Sequence, residues 1–229
     1  MREIVMDAET TGLDPTDGHR IVEIGGVELF NHVPTGRVYH QYINPKRDMP
    51  AEAFAVHGLS EERLSREPVF AAIAEAFLEF LGDARLLIHN AAFDMKFINA
   101  ELHKVGHRPI GWANVVDTLG MARKKFPGSP ASLDALCRRF SIDNTARTYH
   151  GALLDSELLA EVYLELLGGR QHGLGLAANA QKDEAATRKA TKAKRKFREP
   201  RAHTATPEEL AAHKELLEKI KDPIWEKVG

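Results

Sequence analysis

The sequence has a single cysteine and no long apolar run. Cys137 cannot form an intramolecular disulfide or a cysteine-based metal cage. No apolar run approaches the roughly 20 residues of a membrane-spanning helix, and the first residues, MREIVMDAET, contain no apolar signal segment. We therefore expect a cytoplasmic protein without membrane segments, in which Cys137 is a small buried side chain.

A Gly-rich phosphate loop of the form GxxxxGK[ST] is also missing, which argues against a P-loop kinase or phosphohydrolase.

Charge is unevenly distributed along the chain. Residues 1–169 hold 17 Lys and Arg against 24 Asp and Glu, whereas residues 170–229 hold 14 against 9. An acidic body would repel nucleic acid unless some carboxylates hold divalent cations, which invert the local charge.

Hydrophobic patterning predicts the element order βββαβαβαα in residues 1–169. The predicted strands cover residues 3–6, 21–30, 38–43, 86–88 and 115–116, and the predicted helices cover 69–80, 93–105, 133–140 and 151–167. Residues 44–60 are predicted to be a loop, because Pro and Gly punctuate them. Three early strands followed by alternating elements predict a mixed sheet flanked by helices, an α/β fold.

The pattern changes near the C-terminus. Residues 177–204 contain nine basic residues and few large apolar ones, which predicts a flexible linker. A helix signal returns at Thr206, where TPEELAAHKELLEKI offers an N-cap and a proline at the first helical position. The sequence therefore predicts a domain, a flexible extension and a short terminal helix.

Two carboxylates lie two residues apart at the end of the first predicted strand. Asp7 and Glu9 project from one face of the strand, and Ala8 points to the other. Paired anions are stabilised by a cation between them, and oxygen ligands select Mg²⁺ or Mn²⁺ over zinc. Alone, the pair is more typical of a solvated strand end. The TTG that follows adds hydroxyls and a glycine that a substrate backbone can approach closely.

Two later segments contain similar chemistry. In HNAAFDMKF, Asp94 falls at the start of a predicted helix, and in HGALLDSELLAEVY, His150 stands at the mouth of a helix with Asp155 more than one turn into it. Individually, Asp94 is typical of a helix cap and His150 of a surface imidazole. Asp155, however, is an acidic residue in an apolar stretch, and together the three segments indicate one acidic site.

DAETTGLDP, HNAAFD and YHGALLD resemble, in order and spacing, the three motifs of the DEDD 3′→5′ exonucleases of the histidine subtype. Residues 1–169 most resemble the epsilon (proofreading) subunits of bacterial DNA polymerase III, including EAFAVHGLS and RTYHGALLDSELLAEVYLEL. The resemblance implies a ribonuclease-H-like fold and hydrolysis of DNA 3′ ends. It also implies catalytic roles for five residues: Asp7, Glu9, Asp94 and Asp155 as ligands of two Mg²⁺ or Mn²⁺ ions, and His150 as general base.

The same resemblance implies a pocket for the terminal nucleotide. Glu52 and His57 would line it, together with Asp7, Glu9 and Asp155, and Phe93 would support or stack on a base. From the residues alone, Glu52 and His57 equally fit a solvated turn, and Phe93 equally fits ordinary core packing.

The tail resembles a set of partner contacts. QHGLGL, residues 171–176, is similar to the peptide by which polymerase subunits dock on the sliding clamp, with Gln171, Leu174 and Leu176 as anchors; the alternative is a Gly-rich domain exit. In the family, the C-terminal end binds the polymerase alpha subunit, and Trp225 fits such a contact. We thus predict an exonuclease domain (1–169), a clamp-binding peptide with a flexible basic linker (170–205) and a polymerase-binding segment (206–229). A small theta-like subunit is a further partner that the resemblance suggests.

Two alternatives stay open at the level of sequence. Related domains degrade RNA ends or oligoribonucleotides, and the catalytic carboxylates do not report on a 2′-hydroxyl. A non-catalytic scaffold is the other alternative, and the presence of all four carboxylates and the histidine argues against it.

Overall fold

The computed structural model describes residues 1–145, 149–169 and 205–220. The chain divides into two units, Met1–Leu174 and Gly175–Gly229. Within the described ranges, no helix combines the length and the apolar character that crossing a membrane requires. The predicted clamp peptide, most of the linker and Trp225 lie outside the described residues, so their assignments stay predictions.

The first unit is built on a five-stranded sheet. Its strands are β1 (Arg2–Thr10), β2 (Ile21–Phe30), β3 (Val33–Tyr42), β4 (Arg85–Ile88) and β5 (Val115–Asp117). Their order is β3-β2-β1-β4-β5. β1 pairs antiparallel with β2 and parallel with β4, which confirms the predicted mixed sheet. A two-residue turn at Asn31 and His32, both with positive φ, joins β2 to β3 as in a type I′ hairpin.

Seven α-helices of this unit lie in the described residues. They are α1 (Ala51–His57), α2 (Glu61–Leu64), α3 (Phe70–Leu81), α4 (Ala91–Lys104), α5 (Thr118–Lys125), α6 (Leu133–Phe140) and α7 (Ala152–Leu167). The described part of the second unit contributes α8 (Pro207–Glu218). Thr206 caps α8 with the reciprocal hydrogen bonds of a capping box to Glu209, as the sequence predicts.

Alternating side chains of β1 pack into two cores on opposite faces of the sheet. Ile4, Met6 and Ala8 belong to the core that includes residues of α3 and α4. Val5 belongs to the core that includes residues of α6 and α7. Because successive side chains alternate across a strand, Asp7 and Glu9 lie on the same face as Val5, toward α7. Cys137 is buried in this second core, as expected.

The structure corrects three details of the sequence prediction. The stretch predicted as a loop contains α1 and α2: Pro50 and Gly58 mark the two ends of α1, and Gly58 terminates it in the left-handed conformation. The prediction also missed α5, which Asp117 caps by accepting the Leu119 N–H. Asp155 lies in the first turn of α7, not deeper, because the helix begins only at Ala152.

Candidate active site

All five residues singled out by the three motifs line one cleft. Asp7, Glu9, Asp94, His150 and Asp155 surround a cavity of about 450 Å³ at the carboxyl end of β1. They come from three parts of the fold: the end of β1, the first turn of α4, and the residues at and just before the start of α7. The parallel pairing of β1 and β4 places the start of α4 beside the end of β1.

A hydrogen bond from the backbone of β1 holds the side chain of Asp94. Its carboxylate accepts the backbone N–H of Ala8 at 3.1 Å, so the residue between Asp7 and Glu9 holds the carboxylate of the second motif in place. The side chain is buried, and this burial raises the pKa of Asp94 to about 7. A divalent cation in the cleft would oppose that rise, because a nearby positive charge favours the ionised carboxylate.

Three of the five residues converge most closely. Glu9, His150 and Asp155 each present one ligand atom within 4.8 Å of the others. His150 Nδ1 lies 3.4 Å from Asp155 Oδ2, and 49% of the histidine side chain is exposed to solvent. Two buried carboxylates and an accessible imidazole around one cleft can hold a divalent cation and exchange a proton with solvent.

A glycine that the sequence analysis missed lets α7 reach this cleft. Gly25 on β2 is the cross-strand neighbour of Asp7. A Cβ at position 25 would lie 2.2 Å from the backbone of Ala152 and Leu153. The hydroxyl of Ser156 lies within 2.7 Å of the Ala152 carbonyl oxygen and 3.1 Å of that of Gly25. The start of α7 therefore rests directly on the sheet. A glycine inside a strand pattern is the signal that could have indicated this close approach.

We expect Gly25→Ala to displace the start of α7 and to misplace Asp155 and His150. A displacement of about 1 Å at reacting groups can cost about 100-fold in rate. The measurement is the rate of nucleotide release from a 3′ end, with circular dichroism and thermal unfolding to verify the fold. Gly26→Ala is the matched control, because a Cβ there would approach Phe80, 3.0 Å away, in the other core. Wild-type activity in Gly25→Ala would show that the clearance is not needed.

A second cavity, of about 600 Å³, adjoins the cleft. Glu9, Leu13 and Phe93 line both spaces, and Glu52 and His57 line the second one from α1. The structure thus brings the two residues predicted for nucleotide binding next to the carboxylates. Phe93 also packs against Phe97, with ring centroids 5.1 Å apart, so it is both a core contact and a wall of the site.

The hydrogen-bonding state of His57 follows from its surroundings. Its Nδ1 accepts the backbone N–H of Leu59 at 3.0 Å, which leaves the ring proton of a neutral imidazole on Nε2. Burial lowers the pKa of His57, so the neutral form is favoured. The residue therefore lines the pocket without adding positive charge to it.

The TTG loop is braced by residues that the sequence analysis did not select. Thr11 Oγ1 lies 3.1 Å from His19 Nδ1, and a Cβ at Gly12 would fall 2.3 Å from the same ring, so a larger residue there would displace His19. Lys96 donates to the carbonyl oxygen of Leu13 at 3.0 Å. Neither contact could be predicted from the sequence, because Lys96 is far from the loop along the chain and the residue type of His19 does not indicate such a role.

Comparisons with known proteins identify the family of this chain. Residues 4–163 match the family described as Exonuclease, RNase T. The chain is 51% identical over 225 residues to DNA polymerase III subunit epsilon of Rickettsia conorii, covering 96% of each chain. It is 43% identical over 231 residues to the Escherichia coli K12 protein of the same name, covering 96% of this chain and 93% of that one.

A solved structure shows the same fold. The nuclease domain of 3′hExo, a DEDDh family member bound to rAMP, superposes with a TM-score of 0.63 at 19% identity. The match covers 72% of this chain and 91% of that one. At this level of identity the similarity bears on the fold alone, and it confirms the predicted ribonuclease-H-like architecture.

Proposed function

The chain belongs to the exonuclease family and, within it, to the DNA polymerase III epsilon subunits, and we propose that this 3′→5′ exonuclease proofreads DNA by two-metal catalysis. It hydrolyses the terminal phosphodiester and releases 5′-mononucleotides. The observation that carries the proposal is the single cleft that Asp7, Glu9, Asp94, His150 and Asp155 line together.

The residues of the cleft fit a pair of Mg²⁺ or Mn²⁺ ions. Asp7, Glu9, Asp94 and Asp155 would hold them, since carboxylate oxygens are the ligands these cations prefer. Three of the four carboxylates, those of Glu9, Asp94 and Asp155, are buried, a costly arrangement for anions that a cation offsets. When bound, the ions supply positive charge that acidifies a water and stabilises the leaving 3′ oxygen.

His150 is the proposed general base. Its Nδ1 faces Asp155 Oδ2, so a proton on Nδ1 is directed toward a carboxylate. The lone pair is then on Nε2, which accepts the proton of the attacking water. Asp155 thus orients the imidazole and also belongs to the proposed metal-ligand set.

The adjoining cavity is the proposed site of the terminal nucleotide. Glu52 and His57 of α1 bind it from one wall of the cavity. Phe93 supports the base at the boundary of the two spaces. Asp7, Glu9 and Asp155 contribute to substrate binding from the metal side.

Partner contacts of the second unit are also part of the proposal. We infer that α8 and the residues after it bind the polymerase alpha subunit, since Leu210, Leu216 and Ile220 are exposed apolar side chains on and next to this helix. The clamp contact through Gln171, Leu174 and Leu176 and the theta-like partner rest on the family resemblance. A cytoplasmic location follows from the replicative role.

The substrate class is tested with two 3′ ends. We expect a 3′-mismatched DNA primer to be shortened about 10- to 100-fold faster than an RNA strand of the same sequence, because an added hydroxyl must be accommodated in the pocket. Mononucleotide release is measured with Mg²⁺, with Mn²⁺ and with EDTA. A preference for RNA would move the assignment to the RNA-processing branch of the family, and a lack of activity on both would favour a scaffold.

A further inference from the structure

The residues just before α7 contact α1 at two neighbouring points. The backbone N–H of His150 donates to the carbonyl oxygen of Val56 at 3.0 Å. The ring of Tyr149 lies on Gly58: a Cβ at position 58 would be 3.2 to 3.4 Å from three atoms of the ring. Gly58 terminates α1 with a φ of 69°, a backbone conformation that favours glycine. The close approach of the Tyr149 ring favours glycine at this position as well.

The same helix forms a wall of the nucleotide cavity. Glu52, Val56 and His57 all line that space, and all belong to α1. Val56 therefore does two things at once: it faces the cavity, and its carbonyl oxygen holds the backbone of His150. One short helix contacts both the proposed nucleotide site and the segment that carries the proposed base.

The backbone at residues 149 and 150 sets where the imidazole of His150 can reach. Half of the side chain is exposed, so packing constrains it less than it constrains a buried side chain. The 3.4 Å contact of its Nδ1 with Asp155 Oδ2 orients the ring, but it does not fix the backbone that carries the ring. Movement of the backbone at 149–150 would therefore carry the imidazole away from the cleft.

We propose that Tyr149 is a positioning residue, whose ring on Gly58 ties the placement of His150 to the helix that contacts the terminal nucleotide. The inference rests on the proposed general-base role of His150. A nucleotide held by Glu52 and His57 steadies α1, and α1 steadies His150 through Tyr149 and Val56. The base is then best placed when the pocket is filled, which favours hydrolysis of a correctly seated 3′ end.

Tyr149 can be replaced without opening a core. Its side chain is 56% exposed, so Tyr149→Ala leaves no buried cavity, and Tyr149→Phe keeps the ring that contacts Gly58. An exposed aromatic near a nuclease site could instead stack on a DNA base. That role predicts a rise in KM, whereas a positioning role predicts a fall in kcat at nearly constant KM.

The test is a double-mutant cycle on the full chain. Wild type, Tyr149→Ala, Tyr149→Phe, His150→Ala and the double variant Tyr149→Ala/His150→Ala are compared on a 3′-ended DNA with Mn²⁺. We expect Tyr149→Ala to lower kcat about tenfold with KM within about twofold of wild type, and Tyr149→Phe to retain wild-type kcat. In the His150→Ala background, Tyr149→Ala should change nothing further, since it acts through the imidazole.

Several outcomes would overturn the proposal. An equal loss in both backgrounds would indicate a general structural effect, a higher KM at unchanged kcat would indicate a DNA contact, and an unchanged kcat would remove any role for Tyr149. Full activity of His150→Ala alone would instead contradict the general-base assignment. The failure of the proposed function is therefore distinguishable from the failure of this inference.

Discussion

Replacing His150 with alanine is expected to lower the rate of nucleotide release by about 10²- to 10⁴-fold, the usual contribution of a positioned general base. The imidazole lines the cleft beside Asp155 and is half-exposed, so its removal leaves no buried cavity. We expect the thermal unfolding midpoint to stay within a few degrees of wild type, as for other surface substitutions. The loss should appear in kcat rather than in KM.

A second histidine provides the control. His103→Ala removes an exposed imidazole in the last turn of α4, a helix that also carries Asp94 in its first turn. This variant should be as active as wild type. If His150→Ala kept more than a tenth of the wild-type kcat, the base would have to be sought elsewhere in the site.

The second large effect is expected for Asp155→Asn. The substitution keeps the size of a buried side chain but removes one of the four motif carboxylates that line the cleft. The proposed cations stabilise the reaction by several kcal/mol, and at 1.36 kcal/mol per tenfold we expect a fall on the order of 10³-fold in kcat. Removal of the cations with EDTA should abolish activity in wild type.

Metal binding offers a readout of Asp155→Asn that does not depend on activity. A cation that binds only the folded protein raises the unfolding temperature, so Mn²⁺ should stabilise wild type and stabilise Asp155→Asn much less. Without metal, the variant should be at least as stable as wild type, because one charge of a repelling cluster is gone. Glu157→Gln, an exposed charge change on the same helix, should leave both readouts unchanged. An undiminished Mn²⁺ effect in Asp155→Asn would exclude Asp155 as a ligand.

Gly25 shows that the proposed metal ligands alone do not make the site. The residue carries no functional group, yet the start of α7 lies on it, within 2.2 Å of where a Cβ would be. Asp7 on β1 pairs with Gly25 on β2. The sheet therefore has a carboxylate on one strand beside a position on the next strand where a helix can approach closely. Asp155 can face Asp7 and Glu9 only because β2 has no side chain at Gly25.

The sequence by itself determined the features that local periodicity and spacing express. Alternation along β1 put Asp7 and Glu9 on one face, and the apolar patterns of α3, α4, α6 and α7 indicated helices whose observed bounds differ from the predicted ones by at most two residues. The order of strands and helices indicated a mixed sheet, and the motif resemblance indicated which carboxylates and which histidine belong together.

Only the tertiary structure decided how distant segments meet. Three contacts depend on distances between atoms that the residue types alone do not indicate. They are those of α7 with Gly25, of the Tyr149 ring with Gly58, and of the His19 ring with Gly12. Helix α1 escaped prediction because its sequence is short and bounded by Pro50 and Gly58, which locally look like turn residues. Local patterns indicate which face of an element is buried. The distance between two elements depends instead on the side chains that pack between them, and at this site the elements approach closely where a glycine has none.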